Sequence, residues 1–150
     1  MIITRNWISE WLDISKISTE KLCKTLNSIG LEVDSVTEHK IPKKVVVGKV
    51  LECKKHPNAD KLSVCQVDIG ESIKQIVCGA KNIAKDQFVP VATVDAILGE
   101  NFQIKETKLR GIESSGMICS SEELGLPKID DGILILDESI GKLKIGKELN

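Results

Sequence analysis

Residues 54–71 read KKHPNADKLSVCQVDIGE, and the order of signals in this stretch sets the fold of the longer part of the chain. In its second half Cys65, Val67 and Ile69 alternate with Gln66 and Asp68, the period of a half-buried strand. Asp68-Ile69-Gly70-Glu71 then supplies the tight connection of a hairpin. In the first half, HPNADKL (56–62), Pro57 fixes its own φ and pushes His56 toward extended geometry. Asn58 and Asp60 bond readily to nearby backbone, and Asp60 is read as orienting the turn. The prediction is a stiff turn leading into a strand, with Lys54, Lys55, His56 and Lys61 gathered on or beside it as an anion contact.

Working outward, short strands separated by turn residues continue on both sides. They are expected at Val45–Cys53, Leu62–Ile69, Ile73–Cys78, Val89–Val94, Phe102–Leu109 and Ile133–Leu136. Gly48, inside the first of these, predicts a bulge or sharp bend. Five or six short curved strands over about 100 residues make a small β-barrel, of which the five-stranded Greek-key OB type is one candidate.

The first 38 residues have a different period. Trp7, Ile8, Trp11 and Leu12 fall at helical spacing, as do Leu22, Leu26 and Ile29 after the candidate cap Ser18. Gly30 is placed to end the second helix, and Leu31, Val33 and Val36 suggest a short strand. Trp7 and Trp11 lie one helical turn apart, and either both close the core of this leader, the favoured reading, or one is left partly exposed to pack on a neighbouring module. The polar stretch Thr37–Lys44, with Pro42, marks a linker. The expected organisation is therefore α+β and mainly β, with a small α/β segment over 1–38 and a barrel over 39–150.

With 150 residues, 41% of them hydrophobic, the chain needs no disulfide or metal to hold a core, since a chain of this size buries about 68–70% of its unfolded surface. Five cysteines cannot all pair, and MIITRNWISEW lacks the organisation of a secretory signal, so reduced thiols in a cytoplasm are expected. No apolar run approaches the length of a bilayer span. Charge is segregated: from Lys40 to Lys61 seven lysines stand against Glu52 and Asp60, while from Ile112 to Glu138 seven acids stand against Lys128. Either a polyanion meets the basic side, releasing counterions, or the lysines solvate one face of the barrel.

The search for catalytic chemistry returns little. No phosphate-cradling glycine loop, Gly-x-Ser-x-Gly elbow or His-Glu-x-x-His helix occurs, and His39 and His56 are the only histidines. Glu122-Glu123 and Asp130-Asp131 are adjacent in sequence and tend to point apart. Cys53 and His56 have the gap of zinc ligands but lack a second close pair, so the cysteines are read as core and no metal is assigned. Phe88 and Phe102 are also read as core, and there is no tyrosine. Nucleic-acid binding would then rest on lysines, loop amides and hydroxyls that read backbone shape, as suits structured RNA better than stacking does.

Several longer motifs carry a family resemblance. HPNADKL (56–62), VDIGE (67–71), IVCGAKNI (76–83) and KLRGIESSGMICSSEELGL (108–126) resemble the tRNA-binding domain shared by several synthetase-associated proteins, an OB-fold. CGA (78–80), GMICSSEELGL (116–126), DGILIL (131–136) and the leader motifs NWISEWLDI (6–14) and IGLEVDSV (29–36) are similar to the bacterial phenylalanine–tRNA ligase β subunit family in particular. The resemblance implies an N-terminal fragment of a longer subunit of a class II aminoacyl-tRNA synthetase. In that family the whole enzyme attaches phenylalanine to its tRNA with ATP and magnesium, in an α2β2 heterotetramer whose α subunit activates the amino acid. Class II sites hold ATP with arginines, and this chain has only Arg5 and Arg110, so the fragment carries no catalytic site. Lys81 replaces the proline common after CGA, and Val94–Asn101 replaces a glycine-rich turn, with Asp95 and Glu100 unfavourable to phosphate.

Carried over residue by residue, the resemblance implies RNA-facing roles for Lys54, Lys55, His56, Asn58 and Lys61, and for Ser114, Ser115 and Gly116 in a second loop. Lysines would supply salt-sensitive attraction, Asn58 and the serines hydrogen bonds, and Gly116 close backbone approach. The implied partners are phenylalanine-specific tRNA and the α subunit, with neither DNA nor membrane. The alternative is an architectural module that packs on its neighbours with little RNA contact. A free-standing tRNA-binding protein would leave the leader unexplained.

Overall fold

The computed structural model describes residues 1–149 and divides the chain into two compact units, Met1–Glu38 and the part from His39 onward. In the first, Thr4 caps a short helix α1 (Arg5–Ser9) by accepting from Trp7 N. Ser18 caps α2 (Thr19–Ser28) by accepting from Lys21 N at 3.2 Å. Arg5 Nη2 donates to Ile17 O at 2.7 Å and to Ile14 O at 3.2 Å, tying the two together. Gly30 ends α2 in the left-handed region, at φ 87°.

Two expectations for this unit are corrected. Residues 31–36 form no strand, because the unit holds no second strand to pair with them; Val33 N bonds instead to the Asn27 side chain at 2.7 Å. Trp7 and Trp11 do not close a core: they are 54% and 77% exposed, and neither helix has a buried residue. The α1 helix stops short of Trp11, and Asp13 accepts from Ser15 N at 3.0 Å, a local bond that competes with the helix; the Ser15 hydroxyl and then its backbone N–H hold the Asp13 carboxyl below its usual range.

The second unit is built on β1 (Val45–Lys55), β2 (Ser63–Asp68), β3 (Ile73–Cys78) and β4 (Phe88–Ala92). Smaller strands complete it: β5 (Ile97–Leu98), β6 (Phe102–Gln103), β7 (Thr107–Leu109), β8 (Ile112–Ser114) and β9 (Met117–Ile118). The main sheet has the antiparallel order β3-β2-β1-β4-β9, so β4 crosses over to pair with β1 instead of β3. The segment entering β9 then meets the free edge of β3. Ser115 N donates to Gln75 O at 2.8 Å, Val77 N to Ser114 Oγ at 3.1 Å, and Gln75 Nε2 to Glu113 O at 2.8 Å. These bonds nearly close a five-stranded Greek-key barrel, the OB architecture. Val50, Cys65, Val67, Ile76, Val89, Val91 and Ile118 fill one core cluster, and Val45, Ala92, Leu98, Ile104, Cys119 and Leu124 form a second.

The bulge anticipated at Gly48 lies three residues later. Gly48 pairs in register with Val89, whereas the β1–β2 register skips Leu51, between Val50↔Val67 and Glu52↔Gln66. Gly48 is required for a different reason: a Cβ there would stand 2.6 Å from Val91 Cγ2 and 2.8 Å from Val67 Cγ1.

Phe102–Leu109 is not one strand. Ile104 sinks into the second cluster, and its N donates to Ala96 O while its O accepts from Asp95 N, so the chain changes partners between β6 and β7. Ile133–Leu136 makes no ladder either. Leu134 N bonds to Cys119 O and Leu136 N to Phe88 O, while the Asn82 amide takes both backbone groups of Ile133, as a neighbouring strand would. Phe88 is half-buried with Lys49 Nζ 5.6 Å from its ring centre, but Phe102 is 60% exposed and is not core. The edge of β1 that β2 does not reach is paired from far along the chain, with Val47 N donating to Lys147 O and Leu149 N to Val45 O.

Candidate nucleic-acid interface

The lysine loop is the connection between β1 and β2. Its ends are clamped by the Lys54↔Val64 and Lys55↔Ser63 pairs and by His56 N donating to Leu62 O at 2.9 Å. Leu62 N reaches back to Ala59 O at 3.2 Å. The loop is therefore stiff, as Pro57 and its neighbours predict. His56, not Asp60, holds it: Asn58 N donates to His56 Nδ1 at 3.0 Å, which leaves the ring proton on Nε2, donating to Leu109 O at 2.9 Å. With 5% of its surface exposed and both ring nitrogens engaged, His56 turns inward instead of standing on the surface as expected, and pins this loop to the β7–β8 hairpin.

Lys54 and Lys55, at the end of β1, and Asn58 and Lys61, on the pinned loop, are exposed. Lys54 Nζ lies 2.9 Å from Glu52 Oε1, both side chains more than half in solvent, and a surface pair of this kind contributes less than about 1 kcal/mol. It leaves Lys54 available to a stronger anion. Among the described residues Lys55 and Lys61 form no ion pair.

The second expected loop has a different role. Ser114 is 4% exposed; its Oγ accepts from Val77 N and donates to Gly116 O at 3.3 Å, so both of its hydrogen bonds help to close the barrel. Ser115 is half-buried, its N bonded to β3 and its Oγ donating to Glu106 Oε1 at 3.4 Å. At Gly116, with φ 134°, an added Cβ would come within 3.0 Å of Ala92 O. The close approach that Gly116 permits is to the chain's own β4.

Sequence reasoning passed over Arg110. It sits with Gly111 in the two-residue turn between Leu109 and Ile112, both at positive φ (53° and 85°), the geometry of a type I′ hairpin. The His56–Leu109 bond brings this exposed arginine beside the lysine loop. The signal was the Arg-Gly pair at 110–111, hidden by reading 102–109 as one strand.

The cysteines belong to the fold. Cys53 and Cys65 face each other across β1 and β2 with their sulfurs 3.6 Å apart, and Cys65, Cys78 and Cys119 are buried. Burial raises the Cys65 and Cys78 thiols and pushes Cys119 up to about 12. Among the described residues no three His, Cys, Asp or Glu side chains stand together as a metal site requires, and no helix is long and apolar enough to cross a membrane.

Residues 45–144, which include all the strands from β1 to β9, match the family described as "Putative tRNA binding domain". The chain belongs to this tRNA-binding domain family. The stiff cationic loop between β1 and β2 is thus part of a tRNA-binding domain. Over all 150 residues the chain is 60% identical to the phenylalanine–tRNA ligase beta subunit of Sulfurimonas denitrificans and 59% identical to that of Campylobacter jejuni. It spans 19% of the length of each of these relatives. A solved structure, the C-terminal domain of Plasmodium vivax p43, is 25% identical with a TM-score of 0.49, over 76% of this chain and 61% of that one.

Proposed function

We infer that this chain is the leader and tRNA-binding module of a phenylalanine–tRNA ligase β subunit. The observation that carries the reading is the 60% identity to such a subunit over every residue. In this reading the module supports the ATP- and magnesium-dependent attachment of phenylalanine to its tRNA by a cytoplasmic enzyme whose α subunit holds the chemistry. Residues 39–150 form the tRNA-binding domain and 1–38 the leader. Lys54, Lys55 and Lys61, with Arg110, supply cations that attract ribose-phosphate backbone, and Asn58 supplies a hydrogen bond, with little base readout. His56, Ser114, Ser115 and Gly116 act by holding the shape of that surface.

Titration of phenylalanine tRNA at increasing salt tests this. Affinity should fall as salt rises, and replacing Lys54, Lys55 and Lys61 together by Ala should reduce the slope of log affinity against log salt by roughly 2–3. Salt-insensitive binding, or none, would overturn the assignment.

An architectural role, with minor RNA contact, is favoured by one observation: Trp7, Trp11 and Leu12 of the leader are largely in solvent. Deleting residues 39–150 from the whole synthetase separates the two readings. Lost tRNA affinity supports the RNA handle, whereas unchanged affinity with failed subunit assembly supports the scaffold.

A further inference from the structure

Beside the pinned hairpin lies an open groove of about 640 Å³, formed by the end of β3, the β6–β7 segment and the approach to β9. Val77, Leu109, Met117 and Ile133 give it apolar walls, and Phe102 stands on its rim with 60% of its surface in water. Such exposure forgoes most of the roughly 1.5–3 kcal/mol that burying a large apolar side chain contributes. Two charged groups converge on the same space. Glu123 accepts from Ser120 N through Oε2 at 2.6 Å and makes no bond through its other oxygen among the described residues. Lys105 forms no ion pair among them.

An apolar slot with an aromatic rim, one free carboxylate oxygen and one free ammonium matches a planar ring that carries amino hydrogens and is joined to a phosphate. That is the chemistry of a nucleobase out of its stack. The groove also continues the lysine loop: His56 Nε2 bonds to Leu109 O in its wall, and Leu62 Cδ2 would lie 3.5 Å from a Cβ on Gly79, another wall residue.

Building on the tRNA-binding reading, we propose that this groove takes one unpaired nucleotide of the bound RNA. Its base stacks on Phe102, its amino edge donates to Glu123, and its phosphate meets Lys105, while the backbone on one side runs over the loop of Lys54, Lys55 and Lys61. The domain then distinguishes RNA with an unstacked base from uniform duplex, a selectivity that lysines alone do not provide.

The test compares the full chain with its Phe102→Ala and Phe102→Trp variants, binding phenylalanine tRNA and a fully paired RNA duplex at constant salt. Phe102→Ala should weaken tRNA binding about tenfold while leaving the salt slope and the affinity for duplex unchanged. Phe102→Trp should restore it. Phe102 is exposed, so neither change removes core packing, and the unchanged duplex affinity serves as the folding control. If Phe102→Ala binds tRNA as the unaltered chain does, the groove serves something else, such as a protein segment, and the proposal falls alone. An equal loss on duplex also overturns it. If the unaltered chain binds no tRNA, the proposal falls together with the function on which it rests.

Discussion

The two units hold their shape by different means. In the barrel unit, buried residues from β1, β2, β3, β4 and β9 make continuous clusters, and glycines such as Gly48 exist because there is no room for a side chain. In the leader, Ile14 is the one buried residue, and order comes from the Thr4 and Ser18 caps, the Arg5 hydrogen bonds and the Gly30 stop. The contrast is between packing and local hydrogen bonding. It teaches that a helical hydrophobic pattern guarantees a helix more readily than it guarantees a core, since α2 forms as its sequence predicts yet buries none of its residues.

Three substitutions probe that contrast, beginning with the largest effect. Gly48→Ala places a methyl within 2.8 Å of Val91 and Val67 and should cost about 1–3 kcal/mol, seen as a lower denaturation midpoint for the barrel. Tolerance of that change would mean that the interior is looser than its geometry indicates. Ser18→Ala removes the hydrogen bond to Lys21 N and should cost about 1 kcal/mol, all of it in the leader. It would appear as lost helical circular dichroism with the barrel transition unmoved, so a shift in both transitions would argue that the units are energetically coupled. Trp11→Gln, at a largely exposed site, should change stability by less than about 0.5 kcal/mol. A larger loss would place Trp11 in a packed environment and bring the leader closer to the barrel in kind.

Much of the barrel was legible because strand periodicity and turn chemistry agree. Ile73–Cys78 forms over the residues expected of it, and β1 and β2 differ from their expected bounds only at their ends. The errors have a common cause. Residues 102–109 and 133–136 have strand-like composition, but the first divides its bonds between β5 before it and β8 after it, and the second between Cys119, Phe88 and Asn82, so neither becomes one continuous strand. Composition reports that a residue can be extended and does not report who pairs with it.

The interface divides similarly. The stiffness of the loop at 56–62 and its lysines could be read directly, because proline geometry and charge are properties of the residues themselves. That His56 would turn inward could not, since its partner Leu109 lies 53 residues away. Ser114 and Gly116 have the composition of a ligand loop, yet the closure of the barrel commits them to Val77 and to Ala92.

Local chemistry in the sequence determined the capped helix, the principal strands, the rigid basic turn and, through its longer motifs, the family. Tertiary structure alone decided which of the polar residues remain available, where Arg110 and Phe102 stand, and that a groove adjoins the lysine loop. The physical reason is that burial and hydrogen-bond partnership belong to pairs of residues brought together by closure of the sheet, and closure joins segments that no short window of sequence contains.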